Sequence, residues 1–386
     1  MNILYDDNMP YAKEYFRGLG QALPFTAGAL DNTLLANCEA LLVRSTTKVD
    51  AALLNEAPNL RYVATATAGF NHLSLTDLTA RGIHWYSAGG CNARAVAEYV
   101  LACLYVLAQR DGFLLSNKTV AVVGVGNVGS TLKSLLQSVG IKVIAYDPPR
   151  ATRDPAFISA EFSQVLKADI ISLHTPLVKD GDFPTEHMFD ASVLETLGPQ
   201  QILINACRGE VLDNAALLAL MRKDQSSMPK VILDCWEHEP EIDRELLPYI
   251  TFASAHTAGH SLEGKARGTD MVYADLCRFL SLPLTLTLED FLPVFSLSAE
   301  QTQKLHDVSA SESTQTIVCE SIKCMYDIEN DDSFFRRYMA KSHSFSELRR
   351  NYHVRREWPA AKIAIQNKKA ASVLGELGFK LANDSK

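Results

Sequence analysis

No apolar run in this 386-residue chain approaches the roughly 20 residues that a membrane-spanning helix needs. That excludes an integral membrane protein built on helices. The first residues, MNILYDDNMP, have neither a basic n-region nor an apolar h-region, and are expected to form a strand rather than a signal peptide. Eight cysteines are present, Cys38, Cys91, Cys103, Cys207, Cys235, Cys277, Cys319 and Cys324, and no two form a CxxC pair. They lie in apolar segments, which points away from a disulfide framework or a zinc site and towards reduced thiols in a cytoplasmic protein. The histidines outside the strand-end set described below (His72, His84, His174, His187, His238, His306, His343 and His353) form no HxH or HExxH spacing, so no metal is assigned. A basic excess is missing too. With a net charge of −8 the chain lacks the electrostatic footprint of a nucleic-acid binder.

What is present is ordinary globular composition, 47% hydrophobic and 21% charged, in a chain long enough for two or three domains. Residues 1 to about 90 alternate short apolar runs (NILYD, EALLVRS, RYVATAT, IHWYS) with helical patterns, the rhythm of a parallel sheet with crossover helices. RAVAEYVLACLYVLAQRD carries apolar residues at helical spacing over several turns and predicts a long buried helix. From residue 119 six further strand patterns follow: TVAVVG, KVIAYD, DIISLH, QILINA, KVILDC and ITFASA. Six strands with intervening helices is the count of a doubly wound dinucleotide fold. EGKARGTDMVYADLCRFLSL reads as a helix returning the chain to the first domain, which is therefore discontinuous. The expected division is 1–92 with 258–285, then 93–257, then a tail at 286–386 that is richer in charge and aromatics.

VAVVGVGNVGSTL places Gly124, Gly126 and Gly129 in a GxGxxG pattern between a strand and a helix, with Asn127 and Val128 opening that helix. The first glycine allows the tight turn, the second lets backbone approach a pyrophosphate, and the third lets helix and strand pack closely. Glycines in such units are often structural only. Here Asp147 ends the next strand, near the ~20-residue spacing of an acid that holds ribose hydroxyls. An acid there repels a 2′-phosphate and favours NAD over NADP, while nearby Arg150 argues the other way.

Arg208 follows QILINAC, Glu239 follows KVILDCWEH, and His256 ends ITFASA. The carboxyl ends of strands in an open α/β sheet face the crevice where ligands bind. An arginine there can hold a carboxylate by two parallel hydrogen bonds. An imidazole can take a hydroxyl proton as hydride leaves, and an acid can hold the ring. Singly, each residue reads equally well as a surface arginine, a cap glutamate and a satisfied histidine. Together they suit hydride chemistry on a hydroxy acid. In the first domain, LLVRSTTKVD and TATAGFNHL also end strands, and Ser45, Thr67, Ala68 and Gly69 offer hydroxyls and N–H groups for an anion. Ordinary turn chemistry explains the same residues.

VVGVGNVG, NACRGEVLDNAALL, LDCWEHEP and SAHTAGHSLEGKARG resemble the signatures of the D-isomer-specific 2-hydroxyacid dehydrogenases. A second group (LYDDNMPYA, LLVRSTTKVD, TATAGFNH, GCNARAVAEYV, DPPR, HTPLVKDG) narrows the resemblance to members acting on a phosphorylated hydroxy acid. The likeness runs from residue 1 to about 280 and resumes in the tail at ELRRNYHVRREW and AASVLGELGFK. It implies a Rossmann NAD domain inserted in a flavodoxin-like substrate domain, followed by a C-terminal α+β dimerisation domain. It also implies that Arg208, Glu239 and His256 are catalytic, that Ser45 and Thr67 contact substrate, and that Asp147, Thr175, Asp234 and Gly259 contact NAD. WEHEP holds two acids, and the family motif selects the one before proline, Glu239 over Glu237. His260 departs from the pattern, standing where the family carries a substrate-contacting tyrosine, although a histidine can still bond a phosphate. Arg349 and Arg350 in the tail either reach that phosphate or cover a solvated helix face. Two other readings stay open, a different 2-hydroxyacid dehydrogenase of phosphoglycerate type and a NAD-sensing protein without turnover.

Overall fold

In the computed structural model, which describes residues 1–341 and 344–382, five parallel strands open the chain. They are β1 (Asn2–Asp6), β2 (Gln21–Phe25), β3 (Ala40–Val43), β4 (Tyr62–Thr65) and β5 (His84–Ser87), in the order β2-β1-β3-β4-β5. Both faces of this sheet are covered, which is why its strands read as continuous apolar runs. On β1, Ile3 and Tyr5 join one core with Val272, Tyr273 and Leu276, while Leu4 joins another with Leu54 and Leu78. Strand β2, sequence QALPF, was not anticipated. It lies at the sheet edge and is half exposed, where Pro24 is tolerated because an edge strand has one side free of ladder bonds.

The chain divides into two compact units. Residues 1–92 and 261–294 form the first, and 93–260 with 295–386 form the second. The return segment is the Leu262–Phe279 helix, capped by Ser261 Oγ accepting from the Gly264 N–H at 2.9 Å. The first unit is thus discontinuous. The return starts three residues later than the sequence suggested and runs on to 294. The tail groups with the nucleotide-binding part rather than standing as a third unit.

The second unit holds β6 (Thr119–Val123), β7 (Lys142–Tyr146), β8 (Ile170–Leu173), β9 (Ile202–Asn205), β10 (Lys230–Leu233) and β11 (Phe252–Ala253). All pair in parallel, in the order β11-β10-β9-β8-β6-β7, so the strand order reverses between β6 and β8. The Ala93–Asp111 helix is buried at every residue from Ala95 to Ala108. It shares one core with Val120 and Val122 of β6 and with Ile317, Val318 and Ile322 of the tail. A helix apolar all round needs such cover, and each fully buried Val, Ile or Leu contributes about 1.5–3 kcal/mol.

The tail is helical at first. Ala299–Ser311, Thr314–Met325 and Ile328–Ala340 start at the capping residues Ser298, Ser313 and Asp327. A short parallel pair follows, β12 (Lys362–Ile363) and β13 (Lys380–Leu381), joined by the Lys368–Glu376 helix. Among the described residues no helix is long and apolar enough to cross a membrane. His343 lies outside the described residues.

Candidate active site

The glycine loop forms as its spacing requires. Gly124 has φ +85°, and a Cβ there would sit 2.7 Å from the His174 carbonyl oxygen. At Gly129 a Cβ would meet the Gly124 oxygen at 1.9 Å, so strand and helix touch backbone to backbone. Around Gly126, by contrast, nothing lies within 4 Å of that position. Gly126 heads the Asn127–Ser138 helix with no side-chain cap, so no capping side chain takes up the N–H groups of its first turn. This is the shape a pyrophosphate fits.

Asp147 follows β7. Its Oδ2 accepts from the Val125 N–H at 2.8 Å and its Oδ1 from the Arg150 N–H at 2.9 Å. Arg150 is drawn under the glycine loop, donating to the Val125 carbonyl at 2.8 Å and stacking 4.5 Å from the Phe157 ring centroid. Past β8, Thr175 Oγ1 is buried with no hydrogen bond among the described residues. An orphaned hydroxyl, an open glycine and a carboxylate at a strand end fit a dinucleotide. Beside them, His174 bonds Ser172 Oγ at 2.8 Å, and burial lowers its pKa to about 3.

Three neighbouring strands carry the proposed chemistry. After β9, Asn205 Nδ2 donates to the Arg208 carbonyl at 2.8 Å and fixes the turn. The half-buried Arg208 uses Nη1 on the Cys207 carbonyl at 2.7 Å. After β10, Glu239 Oε1 accepts from the Trp236 N–H at 2.9 Å, which turns Oε2 towards His256 Nδ1 at 2.8 Å. His256 follows β11 with φ +55°, a left-handed conformation that costs energy in a non-glycine residue. Its backbone is held by Asp234, whose carbonyl accepts from the His256 N–H at 2.8 Å. The Asp234 Oδ1 accepts from Ser254 Oγ at 2.7 Å and from the N–H groups of Thr257 at 2.7 Å and Ala258 at 3.0 Å. Asp234, which the motif assigns to the cofactor, is buried and braces the histidine loop through Oδ1. Gly259 and His260 follow at its partly exposed end, and the His260 ring lies 5.9 Å edge-on to Tyr352.

The spacing of WEHEP left two acids, and hydrogen bonds separate them. Glu237 is buried and engaged elsewhere, its Oε1 2.6 Å from His187 Nε2 and its Oε2 accepting from the Asn214 N–H at 2.7 Å. Hydrogen bonding to Glu237 raises the His187 pKa. His187 also lies 3.6 Å from Asp213. A Cβ on Gly209 would meet the Trp236 oxygen at 1.9 Å, so the turns carrying Arg208 and Glu239 pack without a gap. His187 and Asn214 thus buttress the site, and no sequence pattern singled them out. Cys235, Glu239 and His256 bring ligand atoms within 4.8 Å of one another, as do His187, Asp213 and Glu237. In each group the imidazole bonds directly to a carboxylate, and burial pushes the Cys235 thiol pKa well up.

In the first unit, Ser45 stands exposed after β3, and Thr67 follows β4 on the adjacent strand. Thr67 Oγ1 lies 2.7 Å from Thr65 Oγ1 and donates to the Gly69 carbonyl at 2.9 Å. His72 Nε2 closes this network at 2.9 Å from Thr65 Oγ1, and burial lowers the His72 pKa to about 4. Arg349 is half-exposed and Arg350 exposed on the short Phe345–Arg350 helix.

Residues 104–258 match the model of the D-isomer specific 2-hydroxyacid dehydrogenase NAD binding domain, and residues 299–378 match a domain of unknown function. Among solved structures, D-lactate dehydrogenase of Aquifex aeolicus, complexed with NAD and lactic acid, aligns with TM-score 0.56 at 20% identity, over 72% of this chain and 96% of its own. NAD-dependent formate dehydrogenase of Staphylococcus aureus, complexed with NAD, aligns with TM-score 0.55 at 20% identity, over 74% and 97%. Both show the fold. Erythronate-4-phosphate dehydrogenase of Pseudoalteromonas atlantica is 42% identical over 98% of this chain and 99% of its own. Its counterpart in Pectobacterium carotovorum is 43% identical over 98% of each. With that identity along nearly the whole of both chains, tail included, the protein belongs to the erythronate-4-phosphate dehydrogenase family.

Proposed function

We propose that the chain oxidises the 2-hydroxyl of 4-phospho-D-erythronate to the 2-oxo acid with NAD, as a step towards pyridoxal 5′-phosphate. The observation that carries the chemistry is the Glu239–His256 pair, on the loops after the neighbouring strands β10 and β11, with Arg208 after β9 on the other side of β10. Arg208 holds the substrate carboxylate by two parallel hydrogen bonds, which fixes the adjacent carbon that loses hydride. His256 offers Nε2 to the hydroxyl, because Nδ1 is taken by Glu239, and it receives the proton as the carbonyl forms. Glu239 stabilises the positive charge that the ring then carries. NAD, when bound, accepts the hydride. The open glycine loop would hold its pyrophosphate and Asp147 its ribose, with Thr175, Asp234 and Gly259 assigned to the remaining cofactor contacts.

Ser45, Thr67 and His260 are assigned to substrate, with the phosphate meeting hydroxyls and N–H groups rather than a metal. The proposed setting is the cytoplasm, consistent with the free thiols of all eight cysteines. We assign a homodimer formed through the tail, where Phe334 and Val354 are exposed apolar residues. Light scattering of the purified protein tests that assembly.

Turnover of four hydroxy acids with NAD tests the function. 4-Phosphoerythronate is expected to exceed unphosphorylated erythronate by more than about 100-fold in kcat/KM, since each lost charge-assisted bond costs about 1.5–3 kcal/mol and a phosphate makes several. 3-Phosphoglycerate or lactate used equally well leaves only the broader dehydrogenase activity. NAD binding without any turnover supports a sensor instead.

A further inference from the structure

The tail belongs to a family model without an assigned function, yet it holds the histidine loop at two points. At the start, Asp332 Oδ1 accepts from the Ala253 N–H at 2.8 Å, on the edge strand β11. Arg336 donates to the carbonyls of Leu247 and Ile250, each at 2.6 Å, immediately before that strand. At the far end stands Arg355. One of its terminal nitrogens donates to the Ala258 carbonyl and, at 2.9 Å, to the Ala95 carbonyl in the first turn of the Ala93–Asp111 helix.

Arg355 is 6% exposed, and its guanidinium lies 4.3 Å from the Tyr326 ring centroid. Its Nη1 is buried with no hydrogen bond among the described residues. Burying a cation is costly, and an apolar residue of similar volume often serves stability as well or better. Packing alone does not account for a cation here. Its contacts do. Ala258 lies two residues beyond His256, and its N–H is taken by Asp234 while its carbonyl is taken by Arg355. The left-handed backbone of His256 persists only where its surroundings over-determine it. Asp234 supplies that constraint from one side and Arg355 from the other.

We propose that Arg355 is a positioning residue for proton transfer at His256, and that the tail domain thereby takes part in the reaction. The proposal rests on the dehydrogenase reading given above. Lengthening the distance between imidazole and hydroxyl by a fraction of an ångström slows chemistry without changing what the cofactor site recognises.

The test uses the full-length Arg355→Lys and Arg355→Met variants. Turnover is counted per NADH-binding site, so that unfolded molecules do not enter. Arg355→Lys keeps the charge and stem but not the planar fork. Both variants are expected to lose about tenfold or more in kcat, with Arg355→Met the lower. NADH affinity and substrate KM are expected to stay within about threefold, with a larger primary isotope effect from C2-deuterated substrate because the chemical step becomes slower. Any variant that binds NADH and retains kcat within about twofold of wild type overturns the proposal, as does a loss confined to KM. Wild-type turnover tests the dehydrogenase reading separately, since its absence removes that reading whatever Arg355 does.

Discussion

Glu239 Oε2 and His256 Nδ1 lie 2.8 Å apart, on loops that follow the neighbouring parallel strands β10 and β11. The carboxylate is oriented in turn by the Trp236 N–H on its other oxygen. A ring held at Nδ1 has one nitrogen left for substrate and one orientation in which to offer it. His256→Asn is therefore expected to lower turnover by about 10²–10⁴-fold, the range for removing a general acid or base, while NADH titration stays near wild type. Glu239→Gln keeps the geometry but removes the charge that steadies the protonated ring, so kcat is expected to fall while NADH titration stays near wild type. Near-normal turnover in His256→Asn sinks the mechanism.

The second pair in WEHEP makes a stability prediction with a definite sign. His187 bonds Glu237 at 2.6 Å, and its pKa is raised by that hydrogen bond first, with burial opposing and charges on Glu237, Asp213 and Glu186 assisting. A base with a raised folded-state pKa binds its proton more tightly in the folded protein. Its contribution is complete below the unfolded value of about 6.5 and disappears as pH rises through the higher folded value. His187→Asn suits the test, because asparagine tolerates the left-handed φ of +48°. The drop in Tm is expected to be larger at about pH 6 than at about pH 9. An equal drop at both removes the ionic contribution.

Gly209 sets how closely the turns carrying Arg208 and Glu239 approach. A Cβ there lies 1.9 Å from the Trp236 oxygen and 2.4 Å from the Glu237 nitrogen, both backbone atoms that no rotamer change can move. Gly209→Ala is expected to cost about 1–3 kcal/mol in denaturant unfolding. It also displaces Arg208 from Glu239, so kcat/KM falls more than the loss of folded protein explains. Activity that tracks the folded fraction alone shows that the turns shift together.

How far the site could be read from sequence depended on how narrowly physics limits each position. Gly124 and Gly129 were legible because their backbones leave no room for a side chain. Arg208, Glu239 and His256 could be singled out as a set because parallel strands place their ends along one edge. Glu237 and Glu239 could not be separated by spacing, since both follow β10 and only the third dimension brings His187 to one and His256 to the other. Strand β2 was missed because an edge strand lacks the apolar signal of a buried one. ELRRNYHVRREW contains four arginines, and the sequence left Arg349 and Arg350 between a phosphate contact and a solvated helix face. Burial marks Arg355, whose partners Ala95 and Ala258 are distant in sequence and contribute only carbonyls, which leave no trace in residue type.

The last prediction concerns cofactor choice, where Asp147 and Arg150 point in opposite directions. Arg150 is not held for a 2′-phosphate. Its Nη1 donates to the Val125 carbonyl and to Ser130 Oγ, its Nε lies 3.5 Å from Asp154, and its plane stacks on Phe157. Releasing it breaks those contacts, and Asp147 at the end of β7 still places a negative charge where the phosphate would sit. NAD is therefore expected over NADP by a wide margin. Asp147→Ser removes the charge yet retains a hydroxyl that can cap the following turn. The NAD/NADP ratio of kcat/KM is expected to narrow by about tenfold or more, chiefly through the loss of like-charge repulsion and of a charge-assisted bond of about 1.5–3 kcal/mol to the ribose. Asp147→Ser combined with Arg150→Ala tests whether Arg150 contributes once freed. If Arg150 then meets the phosphate, the double variant uses NADP less well than Asp147→Ser alone. Equal use of both cofactors by the unaltered enzyme defeats the assignment of Asp147.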